Sequence, residues 1–293
     1  MMRTTPRSLL LSAGACVVAF FALLGGVYHT APGRWLDNAA LDGFLAAQGP
    51  RMQPIAAKIS SICDPGPFAL IALAIVVVAA IKRGPRRAAA AAALLLGATV
   101  TTQILKPLLA EVRFDRGVVG SHHFIDPVIP APAFPSGHAT AAMSIALALV
   151  IVSPRAWRPI AAAVGGLFAL AVSFSIVTLG WHFPSDIVGG YLVATTWCLT
   201  LLAGLRAAEQ RWPERGSLRD AARRAVAPRE ALKVVGILGA FGAAIASGIG
   251  LAKLDRVAQF ADRHTTATVA AVTISLCAAG VVAGITMVTS RRQ

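Results

Sequence analysis

The chain has 293 residues, of which 56% are hydrophobic and 14% are charged, whereas soluble proteins average roughly 45–50% and 25%. These values exclude a disordered chain and an ordinary soluble domain, and four cysteines are too few for a secreted module held by disulfides. The composition predicts an integral membrane protein.

The formal net charge of +14 raises the question of nucleic acid binding. However, the basic residues fall mainly into alternate loops between apolar runs, which is the pattern that orients helices in a membrane. We therefore predict no nucleic acid partner. With the more basic loops on the inside, both termini of a multi-pass protein of the cell membrane are expected to be cytoplasmic.

Eight apolar runs are long enough, or nearly so, for membrane-spanning helices of about 20 residues. In chain order they are 9–28, 66–81, 88–105, 136–152, 160–181, 187–205, 234–251 and 265–289. The mixed segment 36–62 has apolar residues at helical spacing and is predicted to lie on the outer membrane surface. The fold class is therefore all-α, a polytopic membrane helix bundle.

The apolar runs and the charged loops divide the chain into four parts. These are an N-terminal anchor helix (1–35), a core (36–206) that makes six transmembrane helices together with the anchor, a basic cytoplasmic loop (207–233) and two additional C-terminal transmembrane helices (234–293). In the seventh run Gly242, Ala246 and Gly250 recur every four residues and form a flat packing face. The last two helices are expected either to seal the core or to form a homodimer.

Ionisable residues gather at the predicted outer ends of the middle helices. Lys106 ends the third run, His138 begins the fourth, and His182 and Asp186 lie between the fifth and the sixth. A single ionisable group at a membrane boundary often only reaches toward the interface. The joint placement of groups from three separate loops indicates a functional site on the outer face.

Two features of these loops suit a phosphate. Lys106 and Arg113 offer an ammonium and a planar guanidinium, which hold phosphate oxygens well. The sequence Pro135-Ser136-Gly137-His138 begins the fourth helix, where backbone N–H groups and a hydroxyl can face an anion. The alternative is an ordinary helix cap next to a histidine with no role.

The second histidine lies next to an acid. A carboxylate beside an imidazole fixes the tautomer and stabilises the charged ring, so His182 with Asp186 suits a nucleophile or an acid–base group, and His138 could protonate a leaving oxygen. The same residues could ligate a metal, but the basic residues nearby would repel a cation. We favour an anionic substrate and expect no metal or other cofactor.

The order and spacing of these residues resemble the type 2 phosphatidic acid phosphatase superfamily, whose motifs are K-x6-R-P, P-S-G-H and S-R-x5-H-x3-D. Here the motifs read Lys106 to Arg113 followed by Phe114, then Pro135 to His138, then Ser175-Ile176 leading to His182 and Asp186. The resemblance covers about residues 37–205.

The resemblance implies a role for each matching residue. His182 would attack phosphorus to form a phosphohistidine, Asp186 would orient it, and His138 would protonate the leaving oxygen. The groups that would hold the phosphoryl oxygens are Lys106, Arg113, Ser136 and the amide of Gly137. No metal would be required.

The sequence departs from the family pattern at two positions. Phe114 replaces a proline, and Ile176 stands where the family has a phosphate-binding arginine. Losing that charge-assisted contact would cost several kcal/mol of transition-state stabilisation. Arg116, three residues after Arg113, is the first candidate to supply the missing charge, ahead of His122 and His123.

Together these features predict a metal-independent phosphatase with its site at the extracytoplasmic membrane surface. Its substrate would be a membrane lipid phosphate or diphosphate, such as a polyprenyl diphosphate, phosphatidic acid or phosphatidylglycerophosphate. One alternative, suggested by Ile176, is a catalytically impaired protein that binds or transports such a lipid. Another is a phosphotransferase between lipid or sugar carriers.

Overall fold

The structure is a computed structural model that describes residues 5–212 and 254–290. Within these ranges all regular structure is helical. The α-helices are α1 (Pro6–His29), α2 (Ala31–Ala46), α3 (Met52–Ser60), α4 (Pro65–Arg83), α5 (Pro85–Leu108), α6 (Gly137–Val152), α7 (Arg158–Thr178), α8 (Pro184–Arg211), α9 (Leu254–Arg263) and α10 (Thr265–Ser290).

Seven helical segments in the described ranges are long and apolar enough to cross a membrane, and they contain α1, α4, α5, α6, α7, α8 and α10. The protein is thus an all-α, multi-pass membrane protein, as the sequence predicts. The first six apolar runs and the eighth correspond to these helices. The seventh run and most of the basic loop, with Gly242, Ala246 and Gly250, lie outside the described residues.

Proline marks the starts of several helices. Pro6, Pro65, Pro85 and Pro184 each occupy the first turn of a helix, where the missing N–H has no helical partner to lose. Pro107 lies at the other end of α5, which ends one residue later. The chain therefore leaves the bundle directly after Lys106 and enters the long loop that contains Arg113.

Helix α6 forms the centre of the bundle. Nearly all of its residues are buried, and it packs against α4, α5, α7 and α8. Its N-terminus lies at the same end of the bundle as the C-termini of α5 and α7 and the N-terminus of α8, because these helices alternate in direction. The loops that contain the predicted site residues are thereby brought to one end.

The segment 36–62, predicted to lie on the membrane surface, contributes to a helix that packs against the bundle. It forms α2 and α3, and α2 packs against α1, α7, α8 and α10. One face of α2 is buried and contains Asp37, Leu41 and Leu45. The segment is helical, as expected, but it also carries an acidic side chain into the protein.

The last helix packs on the core. In α10 the side chains of Ala267, Ile274, Ala278 and Val282 are buried, and the helix packs against α7 and α2. A sealing role for this helix agrees with these contacts, whereas the homodimer stays a prediction.

Candidate active site

The fourth and sixth membrane helices meet at the site in close contact. The N–H of Ser136 donates to the carbonyl of Asp186 at 2.9 Å. A Cβ atom on Gly190 would lie 2.8 Å from the Ser136 carbonyl oxygen and 2.9 Å from Thr140 Oγ1. Because glycine has no side chain, α8 can approach the start of α6 and hold the two motifs in a fixed position.

His182 and Asp186 form the predicted pair. His182 Nδ1 lies 3.2 Å from Asp186 Oδ2, which also accepts from the N–H of Phe183 at 3.0 Å. The His182 side chain is nearly buried, and Asp186 is fully buried. A carboxylate can only accept, so Nδ1 is the ring nitrogen that donates in this contact. In a neutral ring with this tautomer the lone pair is on Nε2.

Arg113 is held by two carboxylates. Its Nη2 pairs with Asp186 Oδ1, and its Nη1 donates to Asp37 Oδ2 at 3.0 Å and to Ser185 Oγ at 3.1 Å. The guanidinium carbon also lies 4.8 Å from the ring centre of Tyr28 and 4.4 Å from that of Phe183. These contacts fix the guanidinium next to Asp186.

Burial and charge act in opposite directions on this group. Burial lowers the pKa of Arg113, but the carboxylates of Asp186 and Asp37 outweigh that effect, so its pKa is raised overall. For Asp37, burial raises the pKa to about 6, although Arg113 and the hydrogen bonds from Ser185 oppose the shift. Arg113 therefore keeps its positive charge. Ionising Asp37 costs solvation free energy, because its carboxylate is buried.

Asp37 was not identified as a site residue from the sequence. Its Oδ1 accepts from the N–H of Ser185 at 3.1 Å, and its Oδ2 accepts from the Ser185 hydroxyl at 2.5 Å. A signal was present, because Asp37 precedes Leu41 and Leu45 at intervals of four residues and so shares their buried helix face. Through Asp37, helix α2 therefore contacts both Arg113 and the first turn of α8.

A second acid that the sequence analysis missed lies beside His138. His138 Nε2 is 3.2 Å from Asp64 Oδ1, and Asp64 precedes the first residue of α4. The side chain of Asp64 is half exposed, and that of His138 is about one quarter exposed. This histidine thus has a carboxylate partner of its own and stays accessible from outside the bundle.

Lys106, Ser136 and Gly137, which are predicted to hold the phosphate, lie near one another at the start of α6. Ser136 caps α6 and accepts from the N–H of Ala139 at 3.3 Å. A Cβ atom on Gly137 would lie 3.7 Å from Lys106 Nζ, so the ammonium lies beside the first amides of the helix. A helix N-terminus with an adjacent cation favours a phosphate.

Ile176 occupies the position of the family's arginine, and Arg116, His122 and His123 are the residues predicted to supply the missing charge. Ile176 is fully buried in the main apolar cluster. Arg116 and His122 are exposed in the loop, and His123 pairs with Asp42 at 3.0 Å. Within the described ranges, no hydrogen bond or ion pair joins Arg116 to the site. The proposed replacement of the missing charge by Arg116 thus has no contact in support.

Comparisons with known proteins show which proteins this chain is similar to. Residues 68–209 match the model of the PAP2 superfamily. The chain is 26% identical over 129 residues to undecaprenyl-diphosphatase BcrC of Bacillus subtilis, a match that covers 43% of this chain and 64% of that protein. It is 31% identical over 98 residues to an undecaprenyl-diphosphatase of Sulfolobus acidocaldarius, covering 33% of this chain and 45% of that protein.

A solved structure supports the fold. The crystal structure of a transmembrane PAP2-type phosphatidylglycerolphosphate phosphatase from Bacillus subtilis aligns with a TM-score of 0.50 and 20% sequence identity, over 70% of this chain and 98% of that one. The family resemblance that the motifs indicate is confirmed. Tyr28, Asp37 and Asp64 precede the matched segment. Residues 68–209 are thus the part of this chain that matches the PAP2 superfamily.

Proposed function

We propose that this protein hydrolyses a membrane lipid phosphate or diphosphate through a phosphohistidine intermediate on His182. The observation that carries the proposal is the Asp186–His182 pair, which engages Nδ1 of the histidine, while Arg113 pairs with the same carboxylate. The names of the two undecaprenyl-diphosphatase relatives support a lipid diphosphate as one substrate class. Because the matched segments cover 64% and 45% of those relatives, substrate identity is part of the proposal.

In the first step His182 Nε2 attacks phosphorus, a P–N bond forms and the bond to the leaving oxygen breaks. His138 gives its proton to that oxygen, so the lipid product leaves as a neutral hydroxyl or a protonated phosphate. Lys106, the first amides of α6 and the nearby Arg113 charge stabilise the phosphoryl oxygens. No metal takes part in this scheme.

In the second step water attacks the phosphohistidine and gives its proton to His138. The P–N bond breaks, free phosphate leaves and His182 regains its lone pair. Asp186 stays an acceptor of the Nδ1 hydrogen bond throughout, which stabilises the positive charge on the ring of the intermediate.

The site is proposed to lie at the extracytoplasmic face. The N-terminus of α1 and the site are at opposite ends of the bundle, since Tyr28 at the C-terminus of α1 contacts Arg113. With the basic loops in the cytoplasm, the site opens at the outer interface, where a lipid headgroup can reach it while the tail stays in the bilayer.

Phosphate release by the purified protein with EDTA present tests the proposal, using a polyprenyl diphosphate and phosphatidic acid. Wild-type protein and the His122→Ala control should release phosphate, whereas His182→Ala should release none. Release that survives in His182→Ala would contradict the histidine mechanism. Release by wild type that EDTA abolishes would contradict the metal-free scheme.

Ile176 is fully buried and brings no charge to the position of the family's arginine. A catalytically impaired lipid-binding protein is therefore the second candidate. That candidate predicts saturable lipid binding with no phosphate release, and Ile176→Arg would then be expected to restore release. The phosphotransferase predicts a phosphorylated product only when a lipid or sugar acceptor is added. Product analysis with and without an acceptor therefore separates the three functions.

A further inference from the structure

We propose that the cavity between α1, α5 and α8 binds the hydrocarbon tail of the lipid whose phosphate occupies the site. This inference rests on the proposed function and adds a tail-binding site to it. The cavity has a volume of about 180 Å³. Its lining residues are Val17, Phe20, Phe21, Thr101, Leu105, Leu192, Val193, Thr196 and Trp197.

The walls of the cavity are apolar in effect. Three lining side chains contain a polar atom, namely Thr101, Thr196 and Trp197. All three polar atoms make hydrogen bonds within the protein. Thr101 Oγ1 accepts from Trp197 Nε1 at 3.0 Å, and Thr196 Oγ1 donates to the Leu192 carbonyl at 2.8 Å. An enclosed apolar cavity of roughly 150 Å³ is known to bind benzene, and this space is of similar volume and partly open, so it suits part of a hydrocarbon chain.

The spacing along α5 and α8 places the cavity deeper in the bundle than the phosphate site. Leu105 lines it and is the neighbour of Lys106. On α8, Leu192 and Trp197 follow Asp186 by six and eleven positions, which places them roughly 9 and 16 Å further along the helix axis. A lipid with its phosphate beside Lys106 would therefore have the first part of its tail at this depth.

Trp197 forms a fixed floor. Its indole N–H is bound to Thr101, and a Cβ atom on Gly97 would lie 2.7 Å from its ring. The ring therefore lies flat against the backbone of α5, where only glycine leaves room for it.

A row of packed aromatic rings lies between the cavity and the site. Phe20 contacts Phe134 with ring centres 5.1 Å apart, and Phe134 contacts Tyr28 at 5.9 Å. Tyr28 in turn covers Arg113 at 4.8 Å. On the other side Phe21 is exposed on the outer surface of α1, so a tail can enter from the bilayer without crossing a polar layer.

Lipid tails are as apolar as the lining, so a bound tail gains packing contacts rather than hydrophobic burial. Filling the space should therefore weaken binding moderately. Val17 lines the cavity and Val18 does not, although both are exposed on α1. Val17→Trp and Val18→Trp thus form a matched pair of variants.

The experiment compares a long polyprenyl diphosphate with para-nitrophenyl phosphate, which has no tail, in both variants and in wild type. We expect Val17→Trp to raise KM for the polyprenyl diphosphate about tenfold, which corresponds to about 1.4 kcal/mol. Turnover of para-nitrophenyl phosphate and both activities of Val18→Trp should stay within about twofold of wild type. Equal effects on both substrates, or equal effects of the two variants, would overturn the tail site.

A second measurement does not depend on hydrolysis. A polyprenyl diphosphate with a photoreactive group in its tail, added to His182→Ala in lipid nanodiscs, should label α1 around Phe21 and α8 around Leu192. The label should be lost in His182→Ala/Val17→Trp and kept in His182→Ala/Val18→Trp. Labelling only of other helices would overturn the inference. If the labelling is as expected but wild type hydrolyses no lipid, the proposed function fails and the lipid-binding alternative gains support.

Discussion

Asp37 Oδ2 lies 3.0 Å from Arg113 Nη1, while Nη2 of the same guanidinium holds Asp186. The arginine thus connects α2, which precedes the segment matched by the family model, to the acid that orients His182. Burial raises the pKa of Asp37 to about 6 in spite of this pairing. A carboxylate that is costly to ionise in the folded state indicates a role in function rather than in stability.

Asp37 should make stability fall as pH rises. Its pKa is raised from 3.8 to about 6 on folding, so the folded state binds more protons between these values. The contribution of Asp37 to the free energy of unfolding is greatest below about pH 3.8 and is lost as pH rises through about 6. It amounts to about 3 kcal/mol. Relative to Asp37→Asn, wild type should therefore lose stability across this range, as measured by thermal unfolding in detergent. A constant difference between the two proteins would contradict this prediction.

The same variant should lose activity without losing its fold. Asn can still accept from Ser185, but Arg113 is no longer held by two carboxylates and can shift relative to Asp186. We expect kcat for Asp37→Asn to fall about tenfold, or about 1.4 kcal/mol, with KM unchanged or lower because Arg113 has one fewer competing anion. Asp42→Asn is the matched control, since Asp42 lies on α2 but pairs with His123. Equal kcat for wild type and Asp37→Asn would refute the positioning role.

Asp64→Asn should affect the leaving-group step. Asp64 is 3.2 Å from His138, the proposed proton donor, and such general acids contribute roughly 10²- to 10⁴-fold to rates. We expect the variant to lose about tenfold in kcat with a lipid alcohol as leaving group, and little with para-nitrophenolate, which needs no proton. A loss that does not depend on the leaving group would show that Asp64 acts elsewhere. Kinetics with the two substrates provide the measurement.

Gly190→Ala should disturb the contact between α6 and α8. The added Cβ atom would meet the Ser136 carbonyl oxygen at 2.8 Å, and overpacking of this kind costs about 1–3 kcal/mol. Because the displaced backbone carries Ser136 and Gly137, activity should fall as well. Gly204→Ala, further along α8, is the control because nothing lies within 4 Å of its Cβ position. Similar melting temperatures for both variants would show that the close approach is not needed.

The sequence predicted the membrane helices well because their apolar runs are long and local. It also placed Lys106, His138, His182 and Asp186 together, since alternating helix directions bring these loops to one end of the bundle. The partners Asp37 and Asp64 were missed because they are distant in sequence, and each is a single acid without a motif. The spacing of Asp37 from Leu41 and Leu45 indicates the buried helix face, but the contacts of Asp37 with Arg113 and of Asp64 with His138 are tertiary and have no local signal.

Arg113 shows a second limit of prediction from the sequence. Its spacing from Lys106 indicated a phosphate ligand, but not the carboxylates of Asp37 and Asp186 that hold it. A long, flexible side chain can reach several partners, and packing decides which of them it contacts. The tail cavity was likewise hidden, because it is formed by apolar residues of three helices that all look lipid-facing in the sequence.

The most direct test is to trap the covalent intermediate on His182. A rapid reaction of a polyprenyl diphosphate with excess protein, followed by denaturation and mass spectrometry, should show one added phosphate on the peptide that contains His182. The adduct should be absent from His182→Ala and should decay as free phosphate appears. Phosphate release at the wild-type rate with no adduct on His182 at any time, or with the adduct on another residue, would contradict the account.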